Sequence, residues 1–172
     1  SENKIKTKNV ATSVSGHSVI VKKITVNVGT KEEVLNAVPY EAQQYIPFDM
    51  ADVNLSYQVL GPASVGSGFD VMLVAVKRDK ILNHTNVLSQ AGKLPLVVDY
   101  DGFAVQNAFE VNYDPPPGLM VALLNVGASI MNINIVRGGI PLFTRDVSVG
   151  GNQYTDTLQK ELDLSYEDAE KL

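Results

Sequence analysis

Apolar and polar positions alternate along residues 10–28, which read Val-Ala-Thr-Ser-Val, Ser-Gly-His-Ser and Val-Ile-Val-Lys-Lys-Ile-Thr-Val-Asn-Val. This predicts two β-branched strands around a short turn. The period then changes. Thr30 with Glu33 three residues on writes a capping box, and Val34, Leu35, Val38, Ala42, Tyr45 and Ile46 recur at helical spacing. Pro39 lies inside this helix and Pro47 stops it. A strand is expected over 53–60, a Gly/Pro/Ser turn cluster over 61–68, and a buried strand over the continuous apolar run 69–76. Asp79 can cap the next helix, whose apolar face is Ile81, Leu82, Thr85, Leu88 and Ala91, with Gly92 placed to end it. The strand over 94–100 completes a β-α-β-β-α-β order, a compact α/β unit whose two helices can cover one face of one sheet.

Residues 103–111 read as a short helix. The run Asp114-Pro115-Pro116-Pro117-Gly118 breaks both helix and central strand, and a domain boundary is expected there. Beyond it, 119–126, 132–137 and 140–149 predict a three-stranded meander, with Gly138-Gly139 as the tight turn of its second hairpin. Gly150-Gly151 leads into a helix carrying Thr155, Leu158 and Leu162 on one face, and Ser165 with Asp168 caps a last one.

Composition narrows the function classes. The 172 residues carry 19 acidic and 14 basic side chains, a net charge of −5, with 45% hydrophobic residues. That suits one or two globular domains and gives no footing for phosphate-backbone binding, so nucleic acid is not an expected partner. Zero cysteines exclude disulfides, thiolate zinc sites and cysteine nucleophiles, and fit a reducing compartment. The most apolar stretch, 118–131, is interrupted by Asn125 and is shorter than the ~20 residues a bilayer span needs. The opening residues hold no apolar export segment, so a cytoplasmic location is the expectation. Lys4, Lys6, Lys8, Lys22 and Lys23 stand against Glu2 in the first 23 residues, and a solvated basic edge accounts for them.

Candidate chemistry sits at two glycine-containing turns. In Leu123-Leu124-Asn125-Val126-Gly127-Ala128-Ser129 an apolar strand ends in a turn whose amides can cradle phosphate oxygens; the same text also makes a plain hairpin turn. Gly150-Gly151 ahead of a helix can bring amide donors toward an anion, or can simply be a tight connection. His17 and His84 lack a second ligand at metal-binding spacing and read as ordinary histidines. Asp99 and Asp101 suit a general base or a helix cap. Tyr45 and Phe48, either side of Pro47, are core or a groove wall.

Two blocks of text carry a family resemblance. One is Asn125-Val126-Gly127-Ala128-Ser129, Asn132-Ile133-Asn134-Ile135 and Pro141-Leu142-Phe143-Thr144-Arg145-Asp146-Val147-Ser148-Val149-Gly150-Gly151; the other is Glu41-Ala42-Gln43-Gln44-Tyr45-Ile46-Pro47-Phe48 with Leu55-Ser56-Tyr57-Gln58-Val59-Leu60. Both resemble PilM, the actin-like family of type IV pilus assembly. The resemblance implies an α/β actin-like ATPase (ribonuclease H-like) fold, present in part, with an inserted SHS2-type subdomain shared with the division protein FtsA. It divides the chain into residues 1–17 as the end of a first actin-like subdomain, 18–100 as the insert, 101–118 as a return helix and Pro-rich link, and 119–172 as the start of a second actin-like half. It implies a middle segment, with one phosphate loop upstream and an adenosine-contacting loop downstream. ATP and Mg²⁺ are the implied cofactors, with Asn125, Gly127, Ala128, Ser129 and Asn132 on the second phosphate loop, Gly150 and Gly151 on the later glycine pair, and Glu170 near the ribose-contacting helix.

Asn125 stands where the family commonly has Asp, and a neutral amide lacks the charge that holds a hard cation. The implied role is a cytoplasmic scaffold, at most a weak ATPase, that docks the N-terminal tail of a PilN-like inner-membrane protein and so lies at the inner face of that membrane. Tyr45, Ile46 and Phe48 are the expected wall for the tail. The alternatives are a sugar-kinase-like phosphotransferase, against which Asn125 argues, and an FtsA-like division anchor, which needs an amphipathic membrane helix.

Overall fold

The capping box at Thr30 and Glu33 forms as written: the Thr30 hydroxyl accepts from the Glu33 amide at 3.4 Å, and the Glu33 carboxylate accepts from the Thr30 amide at 3.3 Å. This opens α1 (Lys31–Gln43) in a computed structural model of the chain, which describes residues 6–172. Glu2 and Lys4 of the basic opening lie outside the described residues. The chain divides into two compact units, the first running to Tyr100 and the second spanning Asp101–Leu172.

The first unit contains β1 (Asn9–Val14), β2 (Val19–Val26), α1, a 3₁₀ turn at Met50–Asp52, β3 (Val53–Pro62), β4 (Phe69–Lys77), α2 (Arg78–Gln90) and β5 (Leu94–Tyr100). Its antiparallel sheet has the order β2-β4-β3. The central strand β4 is the one written as an unbroken apolar run, and successive residues on its two faces, Val71, Met72 and Leu73, are buried. Val34, Val38 and Ala42 of α1 are fully buried against Ile24, Val26, Val71 and Leu73.

The expected single sheet over residues 18–100 does not form. β5 pairs in parallel with β1, from Asn9 opposite Leu94 to Val14 opposite Tyr100. Both edges of β4 are already taken by β2 and β3, and an apolar run does not itself specify which partner it will find. Nor do the two helices share one face. α2 lies against β5 and β4 with none of its residues fully buried, and His84 Nε2 lies 2.7 Å from the Thr12 hydroxyl of β1. Asp79 is not the cap of α2: β4 runs directly into the helix, Lys77 takes the cap position without a side-chain bond, and Asp79 falls in the first turn, where a carboxylate complements the helix dipole. Gly92 ends the helix region as expected, at φ +74°.

One polar cluster went unread in the sequence. Asp70, 5% exposed at the start of β4, is held by Lys23 Nζ at 2.8 Å, the Thr25 hydroxyl at 2.9 Å and the Ser64 amide at 3.1 Å. Burial alone would raise its pKa, but the Lys23 ion pair and the bonds from Ser64 and Thr25 outweigh that and hold the carboxyl well below the usual carboxylate range. The cluster pins the 61–68 turn to β2.

In the second unit α3 (Asp101–Asn112) precedes the meander of β6 (Met120–Val126), β7 (Met131–Arg137) and β8 (Ile140–Val147), then α4 (Gly151–Leu162) and α5 (Tyr166–Ala169). Gly138 and Gly139 take φ +55° and +76°, the two positive values that a twist-matched two-residue hairpin turn requires. The boundary expected at 114–118 instead falls before α3, because that helix packs on β6 and β7. The side of β7 that faces α3 is the polar one: Asn134, 1% exposed, donates to the Gly102 carbonyl at 3.1 Å and to Gln106 Oε1 at 2.9 Å, and accepts from the Thr144 hydroxyl at 2.9 Å. Ile133 and Ile135 point to the opposite face and are only half-buried.

Candidate phosphate loop and partner cleft

The turn between β6 and β7 is closed by the Gly127 amide donating to the Ile130 carbonyl at 3.0 Å. The second glycine motif meets it directly. The Gly151 amide donates to the Gly127 carbonyl at 3.0 Å, the Asn152 amide donates to the Ala128 carbonyl at 2.9 Å, and Asn152 Nδ2 lies 3.4 Å from the Ser129 hydroxyl. A Cβ on Gly150 would sit 2.4 Å from the Gly127 carbonyl oxygen, so the glycine is required by close approach of two backbones.

This corrects the expectation that the helix start offers its amides to an anion. The Gly151 and Asn152 amides are committed to the loop, and that of Gln153 bonds the Gly150 carbonyl. The amides of Ala128 and Ser129 bond no backbone carbonyl among the described residues. Ala128 and Ser129 line a cleft of about 450 Å³ together with Gln153, Asp156 and Lys160. The Ser129 hydroxyl and the Lys160 ammonium are groups that can donate to phosphate oxygens, and Asp156 adds an acceptor to the same lining.

The other expected site residues divide. Asn125 and Asn132 stand opposite each other on β6 and β7 with Asn125 Nδ2 donating to Asn132 Oδ1 at 2.8 Å, and Asn132 Nδ2 donates in turn to Asp146 Oδ1 of β8 at 2.8 Å. Asn132 is 3% exposed, so it supports the loop from beneath and does not line the cleft. Asp146 carried no signal of its own, since its link to Asn125 passes through a third strand. Glu170 also lies outside the cleft lining and accepts from the Thr155 hydroxyl at 2.5 Å, tying α5 to α4. Asp99 Oδ1 accepts from the Tyr100 amide at 2.8 Å, and Asp101 is the first residue of α3.

In the first unit, Ile46 is 6% exposed and belongs to the core, so it cannot serve as a wall for a ligand. Tyr45 and Phe48 are half-buried against that core, each with a lysine over its ring: Lys22 Nζ is 4.3 Å from the Tyr45 centroid and Lys77 Nζ 4.4 Å from that of Phe48. Phe48 and Leu82 provide apolar surface in a cleft of about 490 Å³ whose remaining walls include Asp49, Asp52, Lys77 and Arg78.

A sequence model of the family described as type IV pilus assembly protein PilM matches residues 1–172. The chain belongs to the PilM family. A solved PilM-PilN type IV pilus biogenesis complex is similar to it at 29% identity and a TM-score of 0.82, over 97% of this chain and 50% of that one. The cytoplasmic domain of EpsL, an inner membrane component of the type II secretion system of Vibrio cholerae, shares the fold at 17% identity and a TM-score of 0.51, over 91% of this chain and 56% of that one. The α/β architecture is shared with the solved PilM and EpsL structures. The chain spans about half the length of these solved relatives. Among its described residues no helix is long and apolar enough to cross a membrane.

Proposed function

We propose that this PilM-family protein is an actin-like scaffold of the type IV pilus platform that docks the cytoplasmic tail of a PilN-like inner-membrane protein in the cleft beside Phe48. The observation that carries the reading is that cleft: apolar side chains flanked by both signs of charge, in a chain similar to one solved within a PilM-PilN complex. An extended tail binds such a surface by placing alternate apolar side chains on Phe48 and Leu82 while its polar groups meet Asp49, Asp52, Lys77 and Arg78. The protein then sits at the inner face of the membrane through its partner. The SHS2-type insert is the three-stranded unit from β2 to β4 with α1, hung between β1 and β5.

ATP with Mg²⁺ is the proposed ligand of the second unit. When bound, it supplies a polyanion whose differential contacts favour one closed state. Ala128, Ser129 and Lys160 would hold its phosphates. The docking reading is tested by Phe48→Ala, measured for melting temperature and for calorimetric binding of a synthetic tail peptide. Retained folding with at least a tenfold loss of affinity is expected, from losing one aromatic anchor; unchanged affinity in the folded variant overturns the placement.

A further inference from the structure

α2 is fixed at both ends and held loosely between them. β4 runs straight into it, with the Lys77 amide donating to the Ser18 carbonyl at 3.1 Å, and just past its other end the Leu94 amide donates to the Lys8 carbonyl at 2.7 Å. These ties set where the helix lies and leave open its roll about its own axis. Its contact face is Ile81, His84, Thr85 and Leu88, all half-buried and only half of them apolar. Apolar contacts are non-directional and resist a small roll weakly. The bond between His84 Nε2 and the Thr12 hydroxyl of β1, at 2.7 Å, is directional, and among the described residues it is the one side-chain hydrogen bond from α2 to another element.

At about 100° per residue, these four positions span roughly 100° of the helix, with His84 at one border. Arg78 and Leu82 lie just past the other border, and both line the cleft beside Phe48. A roll that draws His84 off Thr12 therefore carries Leu82 with it. With side-chain tips about 5–6 Å from the axis, a roll of about 15° displaces Leu82 by roughly 1.5 Å, and a gap of about 0.5–1 Å already forfeits a quarter to a half of a van der Waals contact. We infer that His84 and Thr12 are positioning residues for this cleft: their bond fixes the roll of α2 and so holds Leu82 at the setting in which it and Phe48 together receive an apolar side chain of the docked tail. The tail as occupant rests on the docking reading above; the roll does not.

Thr12→Val removes the hydroxyl and keeps the shape, whereas Thr12→Ser keeps the hydroxyl. The roll is read first without peptide, from the methyl signals of Leu82 by nuclear magnetic resonance. They are expected to move in Thr12→Val and to return in Thr12→Ser, while those of Val38 in the core stay in place. Leu82 signals that stay put in Thr12→Val overturn the proposal. Calorimetric binding of the synthetic tail peptide is read second. Thr12→Val is expected to weaken it about fivefold and Thr12→Ser to leave it within about twofold of the parent; an unchanged affinity in Thr12→Val overturns the proposal. In a Leu82→Ala background the Thr12→Val loss should vanish, because the bond acts through that side chain, and a loss that persists in full overturns it as well. His84→Phe, of similar ring size, takes the place of Thr12→Val if that variant does not fold, and unfolding of both shows that the bond serves the fold alone and sinks the positioning role. If the parent protein binds no tail peptide, the docking reading falls while the Leu82 signals still decide the roll.

Discussion

The two units are held together by different physics. The first has a dry core in which Ile24, Val26, Val34, Val38, Val71 and Leu73 meet between α1 and the sheet, and its stability rests on apolar area removed from water. In the second, Asn132, Asn134, Gln106 and Thr155 are buried with Val136 and Ala169, and α3 is joined to the meander by directed hydrogen bonds. Gln106 continues the network, donating to the Gly139 carbonyl at 2.9 Å and to Glu110 at 2.8 Å. No buried side-chain polar atom among the described residues lacks a partner. An apolar core tolerates exchange of one shape for a similar one; a polar network tolerates only groups that donate and accept in the same directions. The unit that carries the Gly127–Ser129 turn is the one built the second way.

The largest effect is expected from Val38→Asp, which puts an uncompensated charge in the dry core of a small unit. It should remove more than about 4 kcal/mol and with it the cooperative melt of the first unit, read by near-ultraviolet circular dichroism. A cooperative transition at the parent temperature would break the contrast at its apolar end. Next is Asn134→Leu, an apolar gain at a fully buried position. In an apolar core it would be tolerated, but here it strands Thr144, the Gly102 carbonyl and Gln106, at a cost of about 2–4 kcal/mol in urea unfolding. A stability equal to the parent's would show that the network adds nothing beyond packing.

The smallest effect isolates the polar exception in the first unit. Asp70 has its folded pKa depressed below the ordinary 3.8, so its contribution is present above about pH 3.8 and is lost as pH falls below that value toward the folded one. Asp70→Asn should cost about 1–3 kcal/mol at pH 7. Its urea midpoint should then fall less steeply than the parent's between about pH 4 and pH 2. Parallel acid slopes would sink the assignment.

Local rules made most elements legible. The Thr30/Glu33 box, the Gly138-Gly139 turn, the apolar run of β4 and the Ser165 cap each lie within a few residues of what they specify. What stayed hidden was non-local. The strand at 94–100 was written plainly, but its partner β1 was not, since a strand's text states its faces and not its neighbour. In β7 the alternation was visible and its sense was inverted: Asn132 and Asn134 face inward because Gln106 and Asp146, from other elements, complete them. The same reasoning separates the site residues. Gly127 and Gly150 were legible as glycines needed for something, whereas only the fold shows that they are needed for each other.

The parallel pairing of β1 with β5 also sets an order of events in folding. Val14 and Tyr100 are partners, yet everything from β2 to α2 lies between them in sequence. Closing so long a segment while it is still coil is slow, and each doubling of loop length adds ~0.6 kcal/mol of entropic cost. Once the β2-β4-β3 sheet and α1 have condensed from their own hairpin and local contacts, the effective loop is several-fold shorter, and an eightfold shortening recovers about 2 kcal/mol. The β2-to-α2 segment is therefore expected to fold first on short-range contacts and, by folding, to bring together two strands that the chain had placed far apart.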